Sequence, residues 1–65
     1  MSMLIMETKA RAVINDFMPG IPSKEKPAII RDIVADYMKH QEDWGAYSMY
    51  DAFKNVTSDM EADYE

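Results

Sequence analysis

The chain has 65 residues, no Cys, a single His and a formal net charge of −5. That length holds one small domain, which buries only about 60% of the surface its unfolded chain exposes. The absence of Cys excludes disulfides, thiolate metal sites and cysteine nucleophiles, and a lone His leaves a zinc site short of nitrogen ligands. Helix packing and self-association remain as ways to stabilise so small a core, so a homodimer is expected from the outset.

The opening stretch "MSMLIMETKARAV" has no basic residue ahead of its apolar ones, and only "MLIM" is continuously apolar. This is too short for a signal peptide or a membrane span. The reading is a cytoplasmic protein without a membrane partner.

From Met3 the spacing predicts an amphipathic helix over 3–18. Advancing about 100° per residue, Met3, Met6, Ala10, Val13, Ile14 and Phe17 share a face. Glu7, Thr8, Arg11, Asn15 and Asp16 lie away from its centre. Leu4 and Ile5 fall off the stripe and are left either to a lead-in or to a surface that this helix alone does not cover. Pro19 disfavours helical geometry at Met18, and Gly20 permits a reversal.

A second helix is predicted over 27–42. Ile30, Ile33, Val34, Tyr37 and Gln41 centre its apolar face, with Ile29 and Met38 at the edges. Asp32, Asp36 and Lys39 point the other way. Pro27 suits a first turn, where its missing N–H has no intrahelical partner to lose, and Ser23 is a capping candidate just upstream. Gly45 marks the end of this helix or a link into the next.

The third helix is predicted over 46–61. Met49, Ala52, Phe53, Val56 and Met60 form its apolar face, Tyr50 borders it, and Tyr47, Asp51, Lys54, Ser58 and Glu61 fall opposite. Trp44 is expected as a lid over the junction of the second and third helices. The closing residues "DMEADYE" place acids where they oppose the helix dipole, which predicts a frayed tail over 59–65. Three short amphipathic helices must converge on a shared core. The fold class is therefore all-α, a single three-helix domain with leftover apolar surface through which it could dimerise.

No motif carries catalysis or cofactor binding. His40 is the only His and sits where a helix C-terminus favours a cation. No Ser or Thr stands in a nucleophile-elbow setting. The carboxylates of the tail lack the glycine and the closing glutamate of a calcium loop, and the two isolated glycines make no phosphate loop. No enzyme activity, cofactor or metal is expected.

Charge is unevenly spread. Residues 1–40 hold six Lys/Arg and five Asp/Glu, whereas residues 41–65 hold Lys54 alone against seven Asp/Glu. An acidic third helix would be repelled by a duplex, which argues against direct nucleic-acid contact. The acidic end reads blandly as a solubilising face. Its sharper reading is a binding surface, because Trp and Tyr, residues enriched at interface hot spots, coincide with the charge switch. The expected contact residues are Glu42, Asp43, Trp44, Tyr47, Asp51, Asp59 and Glu61.

Tiny, acidic, cysteine-free and helical, the chain resembles in style the accessory proteins of phages and other mobile elements, a likeness carried by no motif. The leading expectation is a non-enzymatic module that binds and modulates or inhibits a protein with a basic surface, by charge mimicry if that partner acts on nucleic acid. The alternatives are a self-assembling helical protein built on Leu4, Ile5 and Met38, and a DNA-binding regulator using Lys9, Arg11, Lys24, Lys26 and Arg31.

Overall fold

The computed structural model describes residues 2–58. Within them the chain forms α1 (Met3–Phe17), α2 (Lys26–Asp43) and α3 (Met49–Thr57), and every pair of helices packs together. The expected all-α three-helix architecture is what the chain adopts. Met60 and the tail over 59–65 lie outside the described residues.

The core is built from the stripes that the periodicity marks. Met6, Ala10 and Ile14 from α1 meet Ile29, Ile30, Ile33 and Val34 from α2 and Met49, Ala52 and Phe53 from α3. Ala10, Ile14, Ile33 and Ala52 have no exposed surface. Burying an aliphatic side chain of this kind stabilises by roughly 1.5–3 kcal/mol, which short helices need because they are marginal alone.

Each helix has a local reason to start where it does. Ser2 Oγ accepts from the Ile5 N–H at 3.2 Å and caps α1. Pro27 lies in the first turn of α2, whose N-cap, Glu25, makes no side-chain cap. Ser23 contributes only its backbone carbonyl, accepting from Lys26 N–H at 3.3 Å. In α3, Ser48 Oγ accepts from Asp51 N–H at 3.1 Å while Asp51 Oδ2 accepts from Ser48 N–H at 2.9 Å. This reciprocal box satisfies two orphan donors at once. It starts α3 at Met49, three residues later than the apolar spacing alone implies.

Several side chains depart from the sequence reading. Leu4 and Ile5 belong to α1 but stay 70% and 49% exposed. Met3 and Phe17, on the apolar stripe by spacing and at the two ends of α1, are also exposed, at 52% and 57%. Phe17 instead lies against Tyr50, with ring centroids 4.8 Å apart. Ile21 is buried although it sits between Gly20 and Pro22 in the α1–α2 connection. Thr57 is buried too, its hydroxyl donating to the Phe53 carbonyl at 2.7 Å. Gly45 does not cap α2 through left-handed backbone; Trp44 is the cap, donating its N–H to the His40 carbonyl at 2.9 Å.

Candidate functional site: an aromatic and acidic groove beside the α2–α3 link

The 44–48 link brings the end of α2 against one side of α3, and the seam is organised around a carboxylate. The helical spacing directs Asp36, on α2, to solvent beside Asp32. Instead it is half-buried and accepts from both later segments. Tyr47 Oη donates to its Oδ2 at 2.5 Å, and Asn55 Nδ2 donates to its Oδ1 at 2.8 Å. One carboxylate thus joins α2 to the link and to α3.

His40 completes the cluster one turn along α2. Its Nδ1 lies 2.9 Å from the Asp36 carbonyl oxygen and 3.3 Å from Asp36 Oδ1. A carbonyl oxygen only accepts, so Nδ1 carries the proton and, in the neutral ring, Nε2 is left as an acceptor. The His40 ring lies 4.8 Å from the Tyr47 ring, and the Trp44 ring lies 6.1 Å from it. Periodicity puts Tyr47 on the solvent face of a helix. It lies instead in the link, where its ring packs against the core while its hydroxyl reaches back to α2. Partial burial, then the hydrogen bond to Asp36 and that carboxylate's charge, push the Tyr47 hydroxyl up to about 12.

These groups border an open concavity of about 580 Å³ between the link and α3, with His40, Trp44 and Tyr47 from α2 and the link, and Asp51, Lys54, Asn55 and Ser58 from α3 and its end. Trp44 is 58% exposed, so it stands at the rim rather than closing the junction as a lid. The Ser48 backbone N–H, then the Ser48 hydroxyl, and more weakly the charge of Lys54, hold the Asp51 carboxyl below its ordinary value. Lys54 turns its ammonium over the Tyr50 ring, 5.0 Å from the centroid.

Of the seven residues expected to bind a partner, Trp44, Tyr47 and Asp51 share this groove. Asp43 is exposed next to Trp44 at the end of α2. Glu42 is exposed on the same last turn but borders a different concavity, of about 390 Å³, with Met6, Tyr37, Met38 and Gln41. Asp59 and Glu61 lie outside the described residues. Asp36, His40 and Asn55 are not among the contacts expected from sequence. The i,i+4 spacing of Asp36 and His40 is a readable signal, whereas the approach of Asn55 from 19 residues away is not.

A second surface follows the α1–α2 seam. Met3 and Met38, 52% and 45% exposed, border an apolar concavity of about 150 Å³ with Val34 and Ala35. Glu7 and Arg31 flank it without pairing with each other among the described residues. Next to it, Gln41 donates Nε2 to the Gly45 carbonyl at 2.9 Å and keeps Oε1 buried with no partner among the described residues. Leu4 and Ile5 border neither concavity.

Among the described residues no group of three His, Asp or Glu is placed to hold a metal ion, and no helix is long and apolar enough to cross a membrane. Compared with family models, curated proteins and solved structures, the chain matches none.

Proposed function

We propose that the protein is a non-enzymatic interaction module that engages a partner protein with a basic surface through the end of α2, the 44–48 link and the outer side of α3. One observation carries this reading: Trp44, a large aromatic 58% exposed, stands beside Asp43 at the rim of a groove whose other wall holds Asp51. An exposed Trp loses apolar hydration when covered, and Trp is enriched among residues that dominate interface energetics. The surrounding carboxylates add long-range attraction for a basic partner. Where that partner acts on nucleic acid, carboxylates in place of phosphates would make the module a competitive inhibitor.

The test is capture of a basic protein from lysate, followed by association kinetics of the purified pair. A chain carrying Glu42→Gln, Asp43→Asn, Asp59→Asn and Glu61→Gln should associate several-fold more slowly and with a flatter salt dependence. Asp51 is left intact because it caps α3. Association rates that stay the same in this variant would remove the electrostatic basis of the proposal.

A second reading is self-association along the α1–α2 seam, favoured by the exposed Met3 and Met38. A two-fold dimer needs a self-complementary patch, and this one has Glu7 and Arg31 on its edges, so each copy offers the charge the other lacks.

A further inference from the structure

The proposed contact with a basic partner narrows to a single side chain of that partner, an inference that rests on the basic-partner reading. The hydrogen-bonding groups of the groove divide between those used inward and those left over. The Tyr47 hydroxyl, one Asn55 amide hydrogen and His40 Nδ1–H are all spent inward on Asp36, through its carboxylate or its backbone carbonyl. Asp51 commits Oδ2 to the Ser48 N–H and hydroxyl. Among the described residues this leaves three acceptors without hydrogen bonds, Asp51 Oδ1, Asn55 Oδ1 and, in the neutral ring, His40 Nε2, beside two unused donors, the Trp44 indole N–H and the second Asn55 amide hydrogen. Lys54, the one cation on the wall, has its ammonium over Tyr50. Ser58 also lines the groove and donates its hydroxyl to the Asn55 carbonyl, and the rings of Tyr47 and Trp44 supply the aromatic surface.

A groove that offers acceptors, a carboxylate and aromatic faces suits a flat, cationic, donor-rich group. The guanidinium is that group. It carries five donors in a plane, it stacks on aromatic rings, and it is more weakly hydrated than an ammonium. We propose that the groove between the 44–48 link and α3 receives one arginine side chain of a basic protein partner. The guanidinium lies against Tyr47 and Trp44 and donates to acceptors on Asp51, Asn55 and His40. The inward hydrogen bonds to Asp36 have a purpose in this scheme, since they fix the ring of Tyr47 and the amide of Asn55 before the ligand arrives.

Trp44 is the only Trp in the chain and reports directly on its own groove. The probes are hexa-arginine and hexa-lysine peptides, matched in charge, titrated at low salt and followed by Trp fluorescence and calorimetry. Hexa-arginine should shift Trp44 emission saturably and bind about three- to fivefold tighter than hexa-lysine. Trp44→Leu, at an exposed position, and Asn55→Leu should each abolish that preference in calorimetry while circular dichroism shows helicity retained. If Asn55→Leu unfolds the chain, Trp44→Leu alone decides. If the two peptides bind equally, or the arginine preference survives Trp44→Leu, the arginine receptor is wrong while the basic-partner reading stands. If neither peptide binds, both fall.

Discussion

Asp36 on α2 and Tyr47 in the α2–α3 link are joined by a 2.5 Å hydrogen bond across 11 residues of chain. The bond holds the link against α2, so the aromatic wall of the groove and the helix seam depend on one carboxylate. Asn55 reaches that carboxylate from α3 and His40 approaches it from the next turn of α2.

Removing either end of this bond should have unequal effects. Tyr47→Phe deletes one donor and leaves Asp36 with Asn55 and His40, at a cost of about 1–2 kcal/mol. Asp36→Ala strands Tyr47 and Asn55 together and should cost more, about 2–3 kcal/mol. Urea unfolding of the two single variants and the double variant measures this, and the double variant should lose less than the two single losses added together. A double loss equal to that sum would show that the pair is uncoupled.

The same bond sets an alkaline limit. The Tyr47 hydroxyl is pushed from an ordinary value near 10 to about 12. Between those values the folded chain keeps a proton that the unfolded chain loses, so this contribution is full below about pH 10 and fades as the pH rises to about 12. Tyrosinate absorbance should show one transition displaced upward in the parent chain and missing in Tyr47→Phe. The parent should also lose more stability than the variant over that range.

On the acid side the capping box behaves in the opposite sense. Asp51 is held below its ordinary value by the Ser48 N–H and hydroxyl. Its contribution is present above that ordinary value and is lost as the pH falls through the lowered one. Ser48→Ala should cost about 1 kcal/mol, a fall in melting temperature of about 4–8 °C for a domain of this size. Thermal melts followed by circular dichroism at neutral and acid pH test both statements, and the penalty of Ser48→Ala should shrink in acid.

Self-association along the α1–α2 seam predicts that Met38→Glu yields a monomer with unchanged helicity. Met38 borders both seam concavities and is already 45% exposed, so a charge there is tolerated by a single chain but not by a buried interface. Sedimentation of parent and variant over a range of concentrations separates the two states. A parent that remains monomeric at high concentration would dismiss the dimer.

Period and composition determined most of the architecture. The 3.6-residue spacing of Met6, Ala10 and Ile14, of Ile30, Ile33 and Val34, and of Met49, Ala52 and Phe53 placed the core on three helices, because a helix can bury only the stripe that its own geometry presents. The Ser48–Asp51 box is also written in the sequence, as a Ser followed three residues later by an acid. Apolar spacing from Ala46 masks it, so periodicity by itself starts α3 too early.

Tertiary structure alone decided what periodicity cannot encode. Ile21, in the α1–α2 connection, joins the buried cluster that the three helices build, and no local pattern marks an apolar loop residue as core. Phe17 sits on the stripe of α1 yet stays exposed, because its neighbours at the end of the helix, Tyr50 among them, cover it on one side only. Asp36 reads as an ordinary solvent-facing acid until Tyr47 and Asn55 arrive from 11 and 19 residues away. A helical wheel assigns each side chain a direction about its own axis. What meets it there depends on where the chain returns, and that return gathers Trp44, Tyr47, Asp51 and Asn55 around one groove.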